Sequence, residues 1–400
     1  MRVVVKYGGS SVATIEKITS IAKYISELKK EFNEIVVVAS AMGKTTDELI
    51  KKAKEITPNP NTRELDSLLS TGEQQTVALL AMALNSIGID AISLTGIQAG
   101  IKTVGIHTKS KIKSIDKDKL EKYLNENKVV IVAGFQGFDE FGDITTLGRG
   151  GSDTSAVALA ATLGCECRIY TDVDGIYNVD PRLYPDAKRL EKISYEEMME
   201  MAHLGAGVME TRAVEIGKKF GVPIFVGKSL SQEGGTYIVD KSFILEEKLV
   251  TGVSIRKEII VTTTLNVVYS PNKVAKIFSI LNNYGVNIDM IAQNIGKDNK
   301  FELSFSSIPS ESYLLEKAIA EIKINFPEVM IEHRDNLSML SLVGVGMINN
   351  SGIAGKFFTA LSNENIEFYQ ITTSEISISC SIKREDLELA IKATAKEFNL

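Results

Sequence analysis

The chain has 400 residues, 44% of them hydrophobic and 24% charged, which suits two or three folded domains and excludes disorder as the main state. The net charge of −6 leaves no basic excess for a phosphate backbone, so nucleic acid is not an expected partner. Cys165, Cys167 and Cys380 form neither a disulfide framework nor a metal-ligand pattern, no apolar run is long enough for a membrane span, and the N-terminus does not read as a signal peptide. A cytoplasmic location is expected.

Val3–Val5 reads as a short apolar strand, followed by a helix with Ile15, Ile18, Ala22, Ile25 and Leu28 at helical spacing. Ile35–Ala39 is a β-branched run of the kind covered on both faces in a parallel sheet. Helices are predicted around 47–55 and 65–84, then strands at Ile89–Leu94, Val129–Ala133, Arg168–Thr171 and Pro223–Val226. Helices at Asp153–Leu163 and Glu196–His203 fit between them. This alternation predicts an open α/β/α sandwich with a mainly parallel sheet.

A turn-rich stretch at Gln232-Glu233-Gly234-Gly235 and a connector to about Glu247 end that pattern. The chain then repeats itself at a constant offset of 80 residues: Lys276-Ile277-Phe278-Ser279 answers to Lys356-Phe357-Phe358-Thr359, and Leu281, Asn283, Val286 and Ile291 to Leu361, Asn363, Ile366 and Ile371. Each copy reads as a ferredoxin-like βαββαβ unit. Copy one is complete, with strands near 258–265, 286–293, 300–306 and 328–333 and helices near 273–283 and 312–324. Copy two has strands near 337–345, 366–372 and 375–382, helices near 353–363 and 386–397, and no residues left for a fourth strand. The segment 248–255 is expected to supply it, placing copy one inside copy two. The expected domains are therefore 1–245, 256–335 and 336–400.

Several motifs carry chemistry. Lys6-Tyr7-Gly8-Gly9-Ser10-Ser11 follows the first strand. Its glycines and a helix start at Ser10 would admit a phosphate, with Lys6 as a mobile charge; the alternative is a tight turn with a solvated lysine. Gly43-Lys44-Thr45 and Gly227-Lys228-Ser229 mimic the end of a P-loop, but Val38 and Val222 stand where its first glycine belongs. In Ser70-Thr71-Gly72-Glu73, a buried Glu73 would need a partner such as a substrate ammonium; the alternative is a partly exposed glutamate. Leu147-Gly148-Arg149-Gly150-Gly151-Ser152-Asp153 opens a helix. A plain N-cap needs neither the glycines nor Arg149, so an anion site is favoured, with Arg149 able to fork a carboxylate. Tyr170 to Arg182 is rich in aspartate. Asp172 and Asp180 there suit Mg²⁺ or nucleotide hydroxyls, or simply a solvated loop.

Taken together, K-Y-G-G-S-S-V, S-A-M-G-K-T-T-D-E-L, T-G-E, T-T-L-G-R-G-G-S-D and Y-T-D-V-D-G-I-Y-N-V-D-P-R resemble the aspartate kinases of the amino-acid kinase superfamily. V-N-I-D-M-I-A-Q-N and T-T-S-E-I-S-I-S resemble the tandem ACT modules of the same family. The resemblance spans essentially the whole chain. It implies phosphoryl transfer from ATP, carried with Mg²⁺, to the side-chain carboxylate of L-aspartate. Lys6 and Asp153 take the catalytic roles by this resemblance. Ser40, Thr46, Glu73, Arg149, Gly150, Gly151 and Ser152 hold aspartate. Lys6, Tyr7, Gly8, Gly9, Ser10, Thr171, Asp172, Tyr177, Asp180, Arg182 and Lys228 hold the nucleotide. No resident metal ligands are assigned.

The ACT pair implies feedback inhibition by lysine or threonine and a homodimer or homotetramer. Asp289, Gln293 and Asn294 are placed on the second strand of copy one as effector contacts. Two departures stand out. Gly205-Ala206-Gly207-Val208-Met209-Glu210-Thr211-Arg212 replaces G-A-K-V-L-H-P-R, and Ser270-Pro271-Asn272-Lys273 replaces a D-x-P-G turn. The tandem ACT half and S-A-M-G-K-T-T argue against acetylglutamate kinase, and intact Lys6, Arg149 and Asp153 argue against an inactive sensor.

Overall fold

The computed structural model describes residues 1–231, 234–244, 248–296, 299–348, 350 and 352–400. The chain forms two compact units. The first holds Met1–Tyr177, Arg189–Ala202 and Gly207–Glu246, and the second holds Asn178–Lys188, His203–Ala206 and Glu247–Leu400.

In the first unit the elements are β1 (Arg2–Tyr7), α1 (Ile15–Leu28), β2 (Glu34–Ala39), α2 (Thr45–Ile56), α3 (Thr62–Ser86), β3 (Ala91–Leu94), β4 (Ile101–Val104), β5 (Lys111–Ile115), α4 (Lys117–Asn125) and β6 (Val129–Ala133). They continue with β7 (Gln136–Phe138), β8 (Ile144–Thr146), α5 (Gly151–Leu163), β9 (Glu166–Thr171), β10 (Lys192–Ser194), α6 (Tyr195–His203, its last residue counting with the second unit), α7 (Thr211–Phe220), β11 (Ile224–Lys228) and β12 (Thr236–Val239). An eight-stranded sheet runs β10-β12-β11-β9-β1-β2-β6-β3 and is parallel except where β11 meets β12. Val3, Val4 and Val5 are fully buried because helices cover both faces, the expected fate of an apolar run in a parallel sheet. A second sheet, β5-β4-β7-β8, was not legible in the sequence, since its strands are only 3 to 5 residues long.

The register of the main sheet positions the chemistry. Tyr7 pairs with Ala39 and Tyr170, and Ala39 with Ala133. The turns after β1, β2, β6 and β9 therefore emerge side by side. β1 has β2 on one flank and β9 on the other, so the chain order reverses there. Such a switch point opens a crevice beyond the carboxyl ends of the strands.

The second unit contains β13 (Gly252–Val268), α8 (Pro271–Asn283), β14 (Ile291–Ile295), β15 (Lys300–Ser307), α9 (Ser312–Asn325), β16 (Met330–Val343), α10 (Ile353–Asn363), β17 (Phe368–Thr373), β18 (Ser377–Lys383) and α11 (Leu387–Glu397). One antiparallel sheet runs β14-β15-β13-β16-β18-β17. The far half of β13 pairs with β15 and with the start of β16, closing the first ferredoxin-like unit. The near half, Gly252–Arg256, pairs with Met339–Val343, which in turn pairs with β18. Two hydrophobic cores follow. One gathers Val267, Ile277, Leu281, Phe301, Phe305 and Ile322. The other gathers Val253, Leu340, Leu342, Phe357, Leu361 and Ile391, together with Val179 from the short segment 178–188.

The parallel α/β class and the paired ferredoxin-like units agree with the sequence reading. Some details differ. Helix α1 starts at Ile15, capped by Thr14 on the Lys17 amide, so Ser10 lies in a turn and not at a helix end. The second strand of the first repeat starts at Ile291, and Asp289 precedes it, because the backbone at Asp289 and Met290 is held by Ser306 instead of by a regular ladder. In the turn-rich stretch, Gln232 and Glu233 lie outside the described residues, and Gly234 and Gly235 both adopt positive φ, 76° and 124°. The connector's residues 245–247 also lie outside them.

Candidate active site

Lys6 sits one residue before the end of β1. Strand alternation turns its ammonium to the opposite face from Tyr7. On that face α5 begins, and Asp153 in its first turn meets the lysine, with Nζ to Oδ1 at 2.6 Å. Both side chains are mostly enclosed, 11% and 13% exposed, so the pair is far less screened than a surface one.

Tyr7 is a correction to the sequence reading. Its side chain is fully buried and stacked on Tyr170, with centroids 5.4 Å apart, so only its backbone can border a nucleotide. Gly8 binds back to the Tyr170 carbonyl, and Ser11 and Val12 close on the Gly8 carbonyl. Gly9 lies so close to the next turn that a Cβ there would sit 2.8 Å from the Ala41 carbonyl oxygen. The Ser10 carbonyl accepts from Lys17.

That neighbouring turn carries Ser40 and leads into α2, where Thr46 occupies the first turn. The Ala41 amide donates to Glu73 Oε1 at 3.1 Å. Glu73 is 3% exposed in the middle of an unbroken α3, and its Oε2 has no partner. Burial pushes its carboxyl up to about 7. Of the two readings the sequence allowed, the structure shows the buried one.

Gly150 caps α5 at φ 63°, a conformation that favours glycine. A Cβ there would also strike Glu210, 2.5 Å from its Cβ. Gly151 and Ser152 are buried, Ser152 against Gly134, and Arg149 is exposed on the loop before them. Glu210 stands where the relatives' pattern has histidine; burial and the charge of Asp153 raise its pKa. Arg212 donates to the carbonyls of Leu147, at 3.1 Å, and Ser110, at 2.8 Å, so the departed segment braces the Arg149 loop.

Ser229 ties β9 to the first turn, accepting from or donating to Ser11 Oγ at 2.6 Å while its amide donates to the Thr171 carbonyl. Lys228 is exposed beside Thr171 in the sheet register. Thr171 donates to Asp172, and Tyr177 to Asp174. Asp180 and Arg182 fold with the second unit and fork each other, through Nε at 2.9 Å and Nη2 at 2.8 Å. Asp289 pairs with Arg256 and lies 3.6 Å from His203 Nε2, while Gln293 and Asn294 are exposed on the edge strand β14.

Among the described residues, His107, Asp139 and Asp143 form the one three-donor cluster, but Arg63 holds Asp143 and two backbone amides hold Asp139. Sequence reading missed Asp66, fully buried in α3 and binding His107, Thr108 and Thr146. The available signal was its spacing: Asp66, Ser70 and Glu73 recur at i, i+4 and i+7, a polar stripe in a buried helix.

The amino acid kinase family model matches residues 1–228 and an ACT domain model matches 340–398. An aspartokinase of Bacillus sp. (strain MGA3) is 45% identical over 400 residues, covering 100% of this chain and 97% of that protein. The chain belongs to the amino acid kinase family, among its aspartokinases. The Clostridium acetobutylicum aspartate kinase, described as an allosteric enzyme, superposes with a TM-score of 0.76 at 25% identity, covering 99% of each chain. Escherichia coli aspartokinase III, solved with aspartate and ADP, shares the fold with a TM-score of 0.79 at 24% identity over 100% of both chains. The enzyme is thus a kinase with a C-terminal ACT portion. Among its described residues no helix is long and apolar enough to cross a membrane.

Proposed function

We propose that the crevice at the ends of β1, β2, β6 and β9 transfers the γ-phosphoryl group of ATP to the side-chain carboxylate of L-aspartate, giving ADP and 4-phospho-L-aspartate. The observation that carries this reading is the enclosed Lys6–Asp153 pair at 2.6 Å, where the Gly8-Gly9 turn meets the start of α5. An aspartate carboxylate oxygen forms a bond to the γ-phosphorus as the bond to the β,γ-bridging oxygen breaks, and ADP leaves with that electron pair. The attacking carboxylate is already ionised at neutral pH, so no general base is needed. What the site must supply is position and positive charge between two anions.

Lys6 neutralises the transferring group, and Asp153 holds its ammonium in place. Gly8, Gly9 and Ser10 border the phosphates, with Thr171, Asp172, Tyr177 and Lys228 on the nucleotide side. Arg149 forks the α-carboxylate of aspartate and Glu73 takes its ammonium, while Ser40, Thr46, Gly150, Gly151 and Ser152 complete the pocket. Mg²⁺ enters with the nucleotide as part of the substrate.

The domain reading is a kinase portion, 1–245, an ACT unit at 256–335, and a second at 336–400 completed by 248–255. The pairing of Gly252–Arg256 with Met339–Val343 supports it. We further propose a cytoplasmic homo-oligomer, joined through the ACT units, that opens the route to lysine, threonine and methionine and is inhibited through those units by lysine or threonine. The test is acyl phosphate trapping by hydroxylamine with aspartate, glutamate and N-acetylglutamate in parallel. Aspartate alone should give hydroxamate; turnover of N-acetylglutamate instead would overturn the assignment.

A further inference from the structure

The loop that carries Arg149 is short of support from its own strand. β8 ends at Thr146, and Gly148 is at φ 82°. Beside the bond from the Leu147 amide to the Phe135 carbonyl, two side chains far away in sequence hold the loop. Asp66, fully buried in α3, accepts from Thr146 Oγ1 at 2.5 Å, from the Thr108 amide at 3.0 Å and from His107 Nδ1 at 2.8 Å. One carboxylate therefore joins the 107–108 loop to the residue three before Arg149. On the other side Arg212 spans the same seam, one nitrogen on the Leu147 carbonyl and one on that of Ser110. The seam is also tight in the backbone. The Ser110 amide donates to the Thr146 carbonyl at 3.0 Å, and a Cβ on Gly148 would sit 3.2 Å from the Thr108 carbonyl oxygen.

We propose that Asp66 and Arg212 are positioning residues that set the affinity for the substrate carboxylate by fixing the Leu147-Gly148-Arg149 loop. This rests on the reading of Arg149 as the ligand of that carboxylate. A buried carboxylate with several donors and a guanidinium forked onto two carbonyls are both rigid connectors. They hold the two walls of the seam while leaving the Arg149 side chain exposed to substrate. A guanidinium fixed in advance loses less freedom on binding, so loosening its loop weakens the grip on aspartate without touching the nucleotide.

The experiment measures KM for aspartate and for ATP separately in the full-length enzyme, for R212A, R212K, T146V, R149A and the double variant R149A/R212A. R212A should raise the aspartate KM about tenfold and leave the ATP KM within about twofold, a split that general damage to the fold does not give. R212K, which offers a point charge where two carbonyls need a fork, should recover only part of the loss. In the double variant, removing Arg212 should add little beyond R149A, because the loop it orders then has nothing to deliver. T146V removes only the hydroxyl on Asp66 and should raise the aspartate KM severalfold, which tests the same seam even if R212A does not fold. Equal rises for both substrates, or fully multiplicative losses in the double variant, would overturn the positioning role alone. An unchanged aspartate KM in R149A would remove the reading of Arg149, and the proposal with it.

Discussion

In the first unit a strand has one environment. Val3–Val5 of β1 and Val36–Ala39 of β2 are enclosed on both faces, and each strand runs into a turn at the crevice proposed for catalysis. In the second unit a strand has two environments. β16 is exposed through most of Met330–Asn336, where it pairs with β13 alone, and then buried from Leu337 to Val343, where β13 and β18 flank it. The parallel sheet thus collects chemistry at one edge from many short elements. The antiparallel sheet welds two repeats into one body, so a disturbance in either half of β13 or β16 is felt in both. Catalysis and its control call for different materials: fixed turns in one, long shared strands in the other.

The sharpest way to break this comparison is at the turns. Lys6→Ala removes a full charge from the transferring phosphoryl group and should lower kcat by about 10²–10³, or roughly 3–4 kcal/mol, measured below a melting transition that the unpaired, enclosed Asp153 also lowers. A folded variant that keeps most of its kcat would show that charge is not delivered from the β1 turn. The complementary cut is Leu342→Ala. Leu342 is fully buried, pairs with Val253 in the sheet, and belongs to the core of the second repeat. Its loss should cost about 2–5 kcal/mol in a denaturant melt of the full chain, while kcat below the transition stays within about twofold. A fall in kcat with an unchanged melt would mean that the shared strands also shape the catalytic edge.

Legibility divides along the same line. Lys6, Asp153, Arg149 and Glu73 stood out in the sequence as candidates because each lies in a glycine- or hydroxyl-rich break in an otherwise regular pattern, and the fold brings Lys6 and Asp153 into contact. The buried strands were legible as β-branched runs. The need for an extra strand before residue 256 could be inferred by counting elements in the repeats. What could not be read were contacts made across the chain by ordinary-looking residues. Asp66 is one more acid near the start of a helix until the fold buries it against Thr146, 80 positions away. Arg212 looks like a solvated helix residue until its two carbonyl partners, 65 and 102 residues distant, arrive. Tyr7 sits inside the most recognisable motif of the chain and is nevertheless core, because alternation assigns it to the other face.

Glu73 offers a prediction that separates function from stability within the first unit. Burial holds its carboxyl at about 7, above the ordinary value of 4.5. The folded state therefore binds a proton more tightly than the unfolded state. Stability is highest below the unfolded value and declines as pH rises from about 4.5 to 7, by roughly 3 kcal/mol in all. Glu73→Gln should consequently be more stable than the parent at pH 8 by up to about that amount, with the gap closing near pH 4. The same change should raise the aspartate KM, because the ammonium loses its counter-charge. In the parent, the aspartate KM should climb as pH falls below 7, and in the variant that slope should vanish. A pH-independent difference in melting would mean that the carboxyl is not displaced by burial at all.

The smallest expected effect lies in the second unit, at Asp289. Its carboxylate is 22% exposed and already balanced by Arg256, whose other nitrogen donates to the His203 carbonyl at the end of α6. If Asp289 contacts the effector as proposed, an effector ammonium would compete with Arg256 for its carboxylate. Because the site is partly solvated and one charge is traded for another, the net gain is modest. Asp289→Asn should weaken inhibition by whichever of lysine and threonine acts by about 5- to 20-fold, near 1–2 kcal/mol. The uninhibited kcat should stay within about twofold, since the substitution keeps the shape of the side chain and lies outside the catalytic unit. Inhibition curves with each amino acid at fixed aspartate read this directly. An unchanged midpoint would take Asp289 out of the effector site. A lowered kcat without effector would show instead that the Arg256 contact supports the active state.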